Sequence, residues 1–336
     1  MTLAYHKGTT SIGLVHEALA GALARGIDVS PALAAANIDP ALLLAPQARV
    51  SATAFSRLWV ALADLLDDEF FAIDSHPMRR GSFRLMCQAT LGCETLGQAL
   101  RRVLSFLRAV LDDIHGELQE EGDWARLLIH DHGVQRRLFS YGTWLILVHG
   151  VLCWLGNRRI PVHSLCLAPE RPLDDSDYRM RFCENIHFGA EQTAVTFERR
   201  FLALKVVQTP QTLAAFLKES PGTLLVKYRN DESMSAKIRQ YLRGLNPDAW
   251  PERDSLAKVL GMSNSTLQRR LQLEGVSYQR VKDELRRDIA INLLSRGDLS
   301  IIDVAFHTGF QEASAFHRAF KKWTGASPGA YRRSGT

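Results

Sequence analysis

The five cysteines of this sequence are too few and too scattered for a disulfide framework or a structural zinc site. They form no C-x-x-C pair, and their odd number leaves at least one thiol without a partner. The set comprises Cys87, Cys93, Cys153, Cys166 and Cys183. This pattern indicates a reducing compartment, and we expect Cys87 and Cys93 to be buried and inert rather than oxidant sensors.

Long hydrophobic runs are also scarce. The longest, from Trp144 to Leu155, is interrupted by His149 and is shorter than the roughly 20 residues that span a bilayer. The first residues lack the basic and then apolar pattern of a secretory signal. The sequence therefore predicts a cytoplasmic protein with no membrane contact, and the apolar run is interpreted as a buried helix.

Motifs that carry catalysis or hold a cofactor are missing as well. The sequence has no G-x-S-x-G elbow, no phosphate-binding P-loop, no H-E-x-x-H and no G-x-G-x-x-G that opens a helix. The single histidines His115, His149 and His163 lie in or near apolar segments, which favours structural roles. The sequence therefore predicts no enzyme, no cofactor and no metal site.

Charge is distributed unevenly along the 336 residues. Residues 231–336 hold 17 Lys and Arg against 12 Asp and Glu, whereas residues 1–230 hold 24 of each sign. A basic end on a neutral body favours a partner with a negative backbone, because cations that neutralise phosphates release counterions. With 46% hydrophobic and 23% charged residues, the chain is predicted to form two globular domains.

The N-terminal part has two kinds of hydrophobic period. The pattern from Ile12 to Leu66 is helical and broken by prolines, and further helices are predicted for Gly81–Leu91 and Thr95–Leu111. A hairpin and later strands follow around a long helix at Val134–Leu155. The predicted strands are Asp113–Gln119, Trp124–His130, Val162–Ala168, Ile186–Phe188 and Ala194–Phe197. Helices with a small, largely antiparallel sheet indicate an α+β domain.

A polar segment divides this domain from the rest of the chain. It contains Ser220-Pro221-Gly222 and the run Arg229 to Glu232. We therefore predict an effector-binding or dimerisation domain at 1–208, a linker region at 209–233 and an all-α domain at 234–336.

The all-α domain contains a first helix-turn-helix pattern. A helix at Asp254–Leu260 and a turn at Gly261-Met262 precede a second helix at Ser263–Leu273, whose N-cap is predicted to be Ser263. Leu267 and Leu271 give that helix an inward stripe. The polar residues left on its outward side are Asn264, Ser265, Gln268 and Arg269, which are of the types that bind bases and phosphates.

A second unit repeats the pattern. Ile301–Ala305 begins a helix, Thr308-Gly309-Phe310 forms the turn, and Glu312–Thr324 is the next helix, with Gly309 suited to a positive φ. Phe316, Phe320 and Trp323 are its core stripe. The side chains on its other faces, available to bases and phosphates, are Ser314, His317, Arg318, Lys321 and Lys322.

A linker helix at Tyr278–Ser295 joins the two units, begun by Ser277 and ended by Gly297. Its roughly 27 Å length suits two recognition helices one duplex turn apart, in successive major-groove segments. Arg286 and Arg287 lie on this helix and are not assigned to DNA, since they suit a solvated face or an internal ion pair.

The order of these residues resembles the signature of the AraC/XylS family of transcription regulators over about residues 235–333. The resemblance is carried by Val304-Ala305, Gly309-Phe310, Ser314 to Lys322, Gly325 to Pro328 and Tyr331-Arg332, with Leu256-Ala257, Ser263, Leu267, Arg269 to Leu271, Gly275, Tyr278 and Arg287 upstream. By matched position it implies DNA contacts for Ser263, Ser265, Gln268 and Arg269, and for Ser314, His317 and Arg318. Ala313 stands where many relatives carry a polar contact residue.

Residues 10–205 resemble, more loosely, the N-terminal effector domain of ornithine-utilisation-type regulators in this family. Segments that carry the resemblance include Gly26-Ile27-Asp28, Ala36 to Pro40, Arg49-Val50, Thr90-Leu91, Thr95 to Leu100 and His187 to Ala190. It implies an activator controlled by a small-molecule effector, with RNA polymerase and a second copy of the chain as partners. The alternative is an N-terminal domain that only dimerises or binds a protein.

Overall fold

The computed structural model describes residues 8–133, 135–226 and 233–333. Its strands are β1 (Thr9–Ser11), β2 (Arg49–Ser51), β3 (His115–Glu121), β4 (Trp124–His130), β5 (Ser164–Leu167), β6 (Ile186–Phe188) and β7 (Thr193–Glu198). Its N-terminal helices are α1 (Ile12–Ala24), α2 (Ser30–Ala36), α3 (Ala52–Leu66), α4 (Ser82–Thr90), α5 (Leu96–Val110), α6 (Leu138–Leu155), α7 (Ser176–Arg181), α8 (Pro210–Glu219) and α9 (Gly222–Val226). The C-terminal helices are α10 (Met234–Arg243), α11 (Arg253–Val259), α12 (Asn264–Leu273), α13 (Tyr278–Arg296), α14 (Ile301–His307), α15 (Ala313–Thr324) and α16 (Pro328–Arg333).

The described residues form two compact units. The sheet unit contains residues 17–32, 56–133 and 135–226, and the helical unit contains residues 8–16, 33–55 and 233–333. Two N-terminal segments, 8–16 and 33–55, therefore group with the C-terminal helices. The sequence instead predicts a linear division, with domain boundaries at 208 and 233. An α+β unit and a unit with two helix-turn-helix motifs confirm the predicted fold class.

The sheet unit is built on five strands in the order β3-β4-β7-β5-β6. All neighbours are antiparallel except β5 and β6. The predicted hairpin is present, with His115 paired to His130 and Glu121 to Trp124 around a turn at Gly122. α5 packs against β3 and α6, and α8 packs within this unit because Phe216 stacks on Trp154 with ring centroids 4.4 Å apart.

The core of the sheet unit is α6, a helix that is apolar on all sides and nearly completely buried. It is long and apolar enough to cross a membrane, but 89% of its 18 residues are buried inside the protein, as in the core helix of a globular domain. Neighbouring elements approach its glycines closely. A Cβ at Gly150 would lie 2.4 Å from Leu224 Cδ2. The helix predicted from residue 134 begins at Leu138, and residue 134 lies outside the described residues.

His149 on α6 is a buried structural histidine, as predicted. Its Nε2 lies 2.8 Å from the carbonyl oxygen of Ile160. Burial, together with the nearby charge of Arg181, lowers the pKa of His149 to about 3. The imidazole is therefore neutral in the folded protein near neutral pH and donates its Nε2 proton to Ile160.

Acidification is expected to destabilise the sheet unit through His149. Below about pH 6.5 the unfolded chain protonates this histidine while the folded chain does not, so stability falls as the pH falls toward 3. Between pH 7 and pH 5 the loss amounts to about 2 kcal/mol. Urea unfolding at pH 7 and at pH 5 measures this loss of stability. A His149→Gln variant should lose less stability over this interval, and an identical pH dependence in both proteins would contradict the assignment.

The cysteines are free thiols, and four of the five are buried. Burial raises the pKa of the Cys87 thiol, raises that of Cys153 to about 11 and raises that of Cys183 to about 12. A thiol that stays protonated is a poor nucleophile. The expectation that Cys87 and Cys93 are buried is confirmed, since Cys87 is 0% and Cys93 5% exposed.

The helical unit is assembled around α13, against which α10, α14, α15 and α16 pack. An antiparallel pair of short strands, β1 and β2, also packs on α13. The prediction that Arg49–Ser51 belongs to a helical stretch is wrong, because these residues form β2. A strand of three residues is too short to show an alternating pattern, so the sequence carries no local signal for it.

The helix boundaries of this unit follow from local capping chemistry. The hydroxyls of Ser263, Ser277 and Ser300 accept hydrogen bonds from backbone N–H groups in the first turns of α12, α13 and α14. Gly297 ends α13 in the left-handed region at φ 75°. The caps predicted at Ser263, Ser277 and Gly297 are thereby confirmed.

Gly309 is the turn glycine of the second helix-turn-helix, and alanine there is expected to destabilise the helical unit by about 2–4 kcal/mol. Its φ is 81°, and an added Cβ would lie 3.1 Å from the backbone carbonyl of Pro247. Gly297→Ala is the control, because its φ is 75° but nothing lies within 4 Å of the added Cβ. Urea unfolding compares the stability of the two variants. Equal midpoints would show that the contact with Pro247 does not lower the free energy of unfolding.

Candidate nucleic-acid interface

The first candidate recognition helix is α12, and two buried leucines set its orientation. Leu267 and Leu271 are 0% and 2% exposed. At about 100° of rotation per residue, Arg269 lies on the opposite side of the helix from this stripe. Arg269 and Gln268 are exposed, and neither side chain has a hydrogen-bond or ion-pair partner within the part of the chain that the structure describes. α12 therefore presents both side chains to solvent.

Two predicted serines lie together at the start of α12. The Ser263 hydroxyl accepts a hydrogen bond from the Thr266 backbone N–H at 3.2 Å and lies 2.9 Å from the Ser265 hydroxyl. Both serines are exposed. The N-terminus of a helix carries unpaired N–H groups and a partial positive charge, which suit a phosphate oxygen.

Asn264 has a different environment from the other predicted residues of α12. It is half-buried, and its side-chain amide donates a hydrogen bond to the Asp254 carboxylate of α11. Its position on the helix is close to the buried stripe, which explains why it packs instead of projecting. In the protein without DNA, Asn264 therefore connects the two helices of the first helix-turn-helix.

The second candidate recognition helix is α15, which is anchored by Phe316 and Phe320, both 0% exposed. Glu312 is its N-cap, and the Ser314 hydroxyl lies 3.2 Å from the Glu312 carboxylate. All five residues predicted to contact DNA on this helix are exposed: Ser314, His317, Arg318, Lys321 and Lys322. These side chains are therefore accessible to solvent, and the Glu312 carboxylate lies beside Ser314 at the start of the helix.

The two recognition helices place an arginine at the same position relative to their buried stripes. Arg269 follows Leu267 by two residues, and Arg318 follows Phe316 by two residues. Each arginine therefore lies about 180° from its core face. Arg318, like Arg269, has no hydrogen-bond or ion-pair partner in the described ranges. Both arginines are exposed on the side of their helix that faces away from the core.

Arg270 was missed as a candidate, although it is exposed beside Arg269. In the sequence Arg270 is only part of the Arg-Arg-Leu run. No local pattern distinguishes an arginine available to DNA from any other arginine on the surface. Lys258 on α11 is exposed as well. Both cations belong to the same helix-turn-helix and add positive charge near α12.

Arg286 and Arg287 of α13, which are not among the DNA contacts predicted from the sequence, make contacts within the helical unit. The Arg286 guanidinium lies 5.2 Å from the ring centroid of Trp250 and 5.9 Å from that of Phe310. Its Nε donates to the Thr308 carbonyl oxygen at 3.2 Å, and burial lowers its pKa. Trp250 lies in the segment before the first helix-turn-helix, and Phe310 lies in the turn of the second. The Arg286 side chain therefore connects these two segments.

The sheet unit contains an open groove of about 710 Å³. Arg101, Arg199 and Arg200 line this groove, and two of them are paired with neighbouring acids. Arg101 pairs with Glu120, and Arg200 pairs with Glu198 at 2.7 Å. Among the described residues, no group of three or more His, Cys, Asp or Glu side chains is arranged to hold a metal ion. The groove therefore does not by itself identify a ligand.

Family models match both parts of the chain. The arabinose-binding domain of AraC transcription regulators matches residues 26–206, and a helix-turn-helix domain matches residues 256–334. The first match alone spans more than half of the chain.

Curated relatives align over nearly the whole length. The ornithine utilization regulator of Pseudomonas aeruginosa is 23% identical over 313 residues, which cover 89% of each chain. An HTH-type transcriptional regulator of Mycobacterium tuberculosis is 26% identical over 326 residues, covering 93% of this chain and 92% of its own. The crystal structure of the transcriptional regulator CdpR from Pseudomonas aeruginosa covers 95% of this chain and 98% of its own, at 20% identity and a TM-score of 0.30.

The two family-model matches agree with the geometry. The chain carries two helix-turn-helix motifs joined by one helix, and it is a DNA-binding transcription regulator with an N-terminal domain of the arabinose-binding type. This protein belongs to the AraC/XylS family of transcription regulators.

Proposed function

We propose that this protein is a cytoplasmic transcription activator that reads two DNA half-sites with α12 and α15. The equivalent, unpartnered arginines Arg269 and Arg318 carry this proposal. α13 is 19 residues long, or about 28 Å, which suits recognition helices that enter major-groove segments about 34 Å apart. A single chain can then read both half-sites on one face of the duplex.

The exposed residues of the two helices divide into readers and positioning groups. An arginine that lies opposite the core face can pair bidentately with a guanine, whereas Gln268 suits an adenine. Lys321 and Lys322 lie near the C-terminal end of α15 and serve as phosphate contacts. Ser263, Ser265, Ser314 and His317 add hydrogen bonds to bases or backbone. We propose that Asn264 retains its bond to Asp254 and orients α12.

Effector control is proposed for the N-terminal domain. The arabinose-binding family model covers residues 26–206, which include most of the sheet unit. We assign effector binding to the domain at 1–208, a linker to 209–233 and DNA reading to 234–336. An effector acts only if it binds the DNA-competent state with a different affinity, typically by about 1–3 kcal/mol.

The remaining partners follow from the same proposal. An activator bound at a promoter recruits RNA polymerase, and the sheet unit is a candidate surface for pairing two copies of the chain. We infer that the protein has no catalytic activity and no cofactor, since its relatives are transcription regulators.

Selection of bound duplexes from a random DNA library tests DNA reading. The full-length protein should enrich one sequence with two half-sites about 10–10.5 base pairs apart. The Arg269→Ala and Arg318→Ala proteins should each relax the preference in one half-site only. If the wild-type protein enriched no common sequence, sequence-specific reading would be rejected. If neither variant relaxed the preference at a half-site, both arginines would be phosphate contacts and not base readers.

Thermal unfolding with a metabolite panel separates effector control from the alternative of a domain that only dimerises or binds a protein. A ligand that binds the folded state alone raises Tm, and the rise grows with the logarithm of its concentration above Kd. Ornithine and other amino acids belong in the first panel because one relative is an ornithine utilization regulator. A ligand that raises Tm and changes operator affinity supports the effector. A panel without effect, together with a concentration-dependent dimer, supports the alternative.

A further inference from the structure

An N-terminal ribbon is built into the DNA-binding unit. The ribbon consists of β1 and β2, in which Thr9 pairs with Ser51 and Ser11 pairs with Arg49. Both strands pack against α13. Thr9, Arg49 and Val50 are 1%, 4% and 3% exposed, so the ribbon is part of the core of the helical unit.

A buried polar network fixes the ribbon to α13. The Thr9 hydroxyl donates to the Asp288 carboxylate at 2.6 Å and accepts a hydrogen bond from Arg49 Nε at 2.8 Å. Arg287 Nη2 lies 3.1 Å from the same Asp288 oxygen. The Arg49 backbone N–H donates to the Tyr331 hydroxyl at 3.1 Å, which extends the network to α16.

The network places two guanidinium groups, those of Arg49 and Arg287, near the single carboxylate of Asp288. Burial alone raises the pKa of Asp288, but the guanidinium groups of Arg287 and Arg49 and the bond from Thr9 outweigh it and lower that pKa. Asp288 is therefore a buried carboxylate that depends on the ribbon for part of its stabilisation. A buried charge that loses its partner is costly, so the ribbon and α13 are held in one arrangement.

Each strand of the ribbon is followed directly by a helix whose later residues belong to the sheet unit. β1 leads directly into α1 at Ile12, and β2 leads directly into α3 at Ala52. The chain passes from one unit to the other between residues 16 and 17 inside α1, 32 and 33 inside α2, and 55 and 56 inside α3. A continuous helix transmits a displacement that a loop would absorb. The fourth crossing, between residues 230 and 231, lies outside the described residues.

We propose that the β1–β2 ribbon transmits changes between the sheet unit and α13 through the Thr9–Asp288 contact. A shift of α1 or α3 moves the strand that each helix continues, and the strand moves α13, which carries the connection between the two recognition helices. Use of this linkage by an effector rests on the function proposed above. The mechanical linkage itself requires neither an effector nor DNA.

Hydrogen–deuterium exchange of the full-length protein tests the linkage. Thr9→Val keeps the shape of the side chain and removes both bonds of its hydroxyl, and Asp288→Asn keeps the shape and removes the charge. Thr10→Val is the matched control, because Thr10 is buried on the same strand and its hydroxyl has no hydrogen-bond partner among the residues the structure describes.

We expect exchange to become roughly ten- to hundredfold faster in both test variants, since bonds to charged groups are among the stronger ones. The increase should appear in the ribbon and α13 and also in residues 17–24 of α1 and 56–66 of α3, while Thr10→Val stays near wild type. Faster exchange confined to the helical unit, or an equal effect of Thr10→Val, overturns the proposal. Failure of the DNA selection would reject the proposed function without altering this outcome.

Discussion

A full-length variant with both Arg269→Ala and Arg318→Ala is expected to lose about 2–6 kcal/mol of operator binding free energy, or roughly 30- to 20,000-fold in affinity. Each arginine that pairs with a guanine contributes about 1–3 kcal/mol of discrimination. The two side chains lie on different helices and share no partner among the described residues, so their losses should add. Titration of the selected duplex and of random DNA at one salt concentration measures the effect.

The control for this variant removes the same charge elsewhere. Arg171 and Arg200 lie in the sheet unit with side chains 63% and 72% exposed, so Arg171→Ala/Arg200→Ala lowers net charge by the same amount. It should change operator affinity only slightly, through long-range electrostatics. If the recognition-helix variant lost affinity equally for operator and random DNA, both arginines would be phosphate contacts rather than base readers.

Phe316→Ala is expected to lower the unfolding free energy of the helical unit by about 3–5 kcal/mol. Phe316 is fully buried, and its ring packs against those of Phe310 and Phe320 at centroid distances of 5.7 and 5.5 Å. Truncation removes the apolar transfer free energy of the ring and leaves a cavity beneath α15. Urea unfolding followed by circular dichroism measures the shift of the midpoint.

Phe306→Ala is the matched control because it makes the same change in the same unit at a side chain that is 55% exposed. We expect this variant to remain within about 0.5 kcal/mol of the wild-type stability. Similar midpoints for the two variants would mean that Phe316 does not anchor α15, and the orientation assigned to Arg318 would then lose its physical basis.

Much of the sheet unit and the helix-turn-helix pair could be predicted because local patterns there are long. The alternation across Trp124–His130 matches β4 residue for residue, and the helix predicted for Thr95–Leu111 is α5 with Thr95 as its N-cap. Arg269 and Arg318 could be placed opposite the core because two apolar residues define each helix face. Asn264 was less predictable, because its bond to Asp254 depends on how α11 meets α12.

The sequence by itself determined the elements that depend on neighbours within one or two turns: serine caps, turn glycines, amphipathic faces and the basic C-terminal end. The tertiary structure alone decided that β1 and β2 exist and that Asp288 is paired with Thr9, 279 residues away. Three-residue strands have no periodic signature, and a buried carboxylate on a helix resembles an exposed one in sequence. Their partners are chosen by packing and by the cost of an unpaired buried charge, which operate only once distant segments meet.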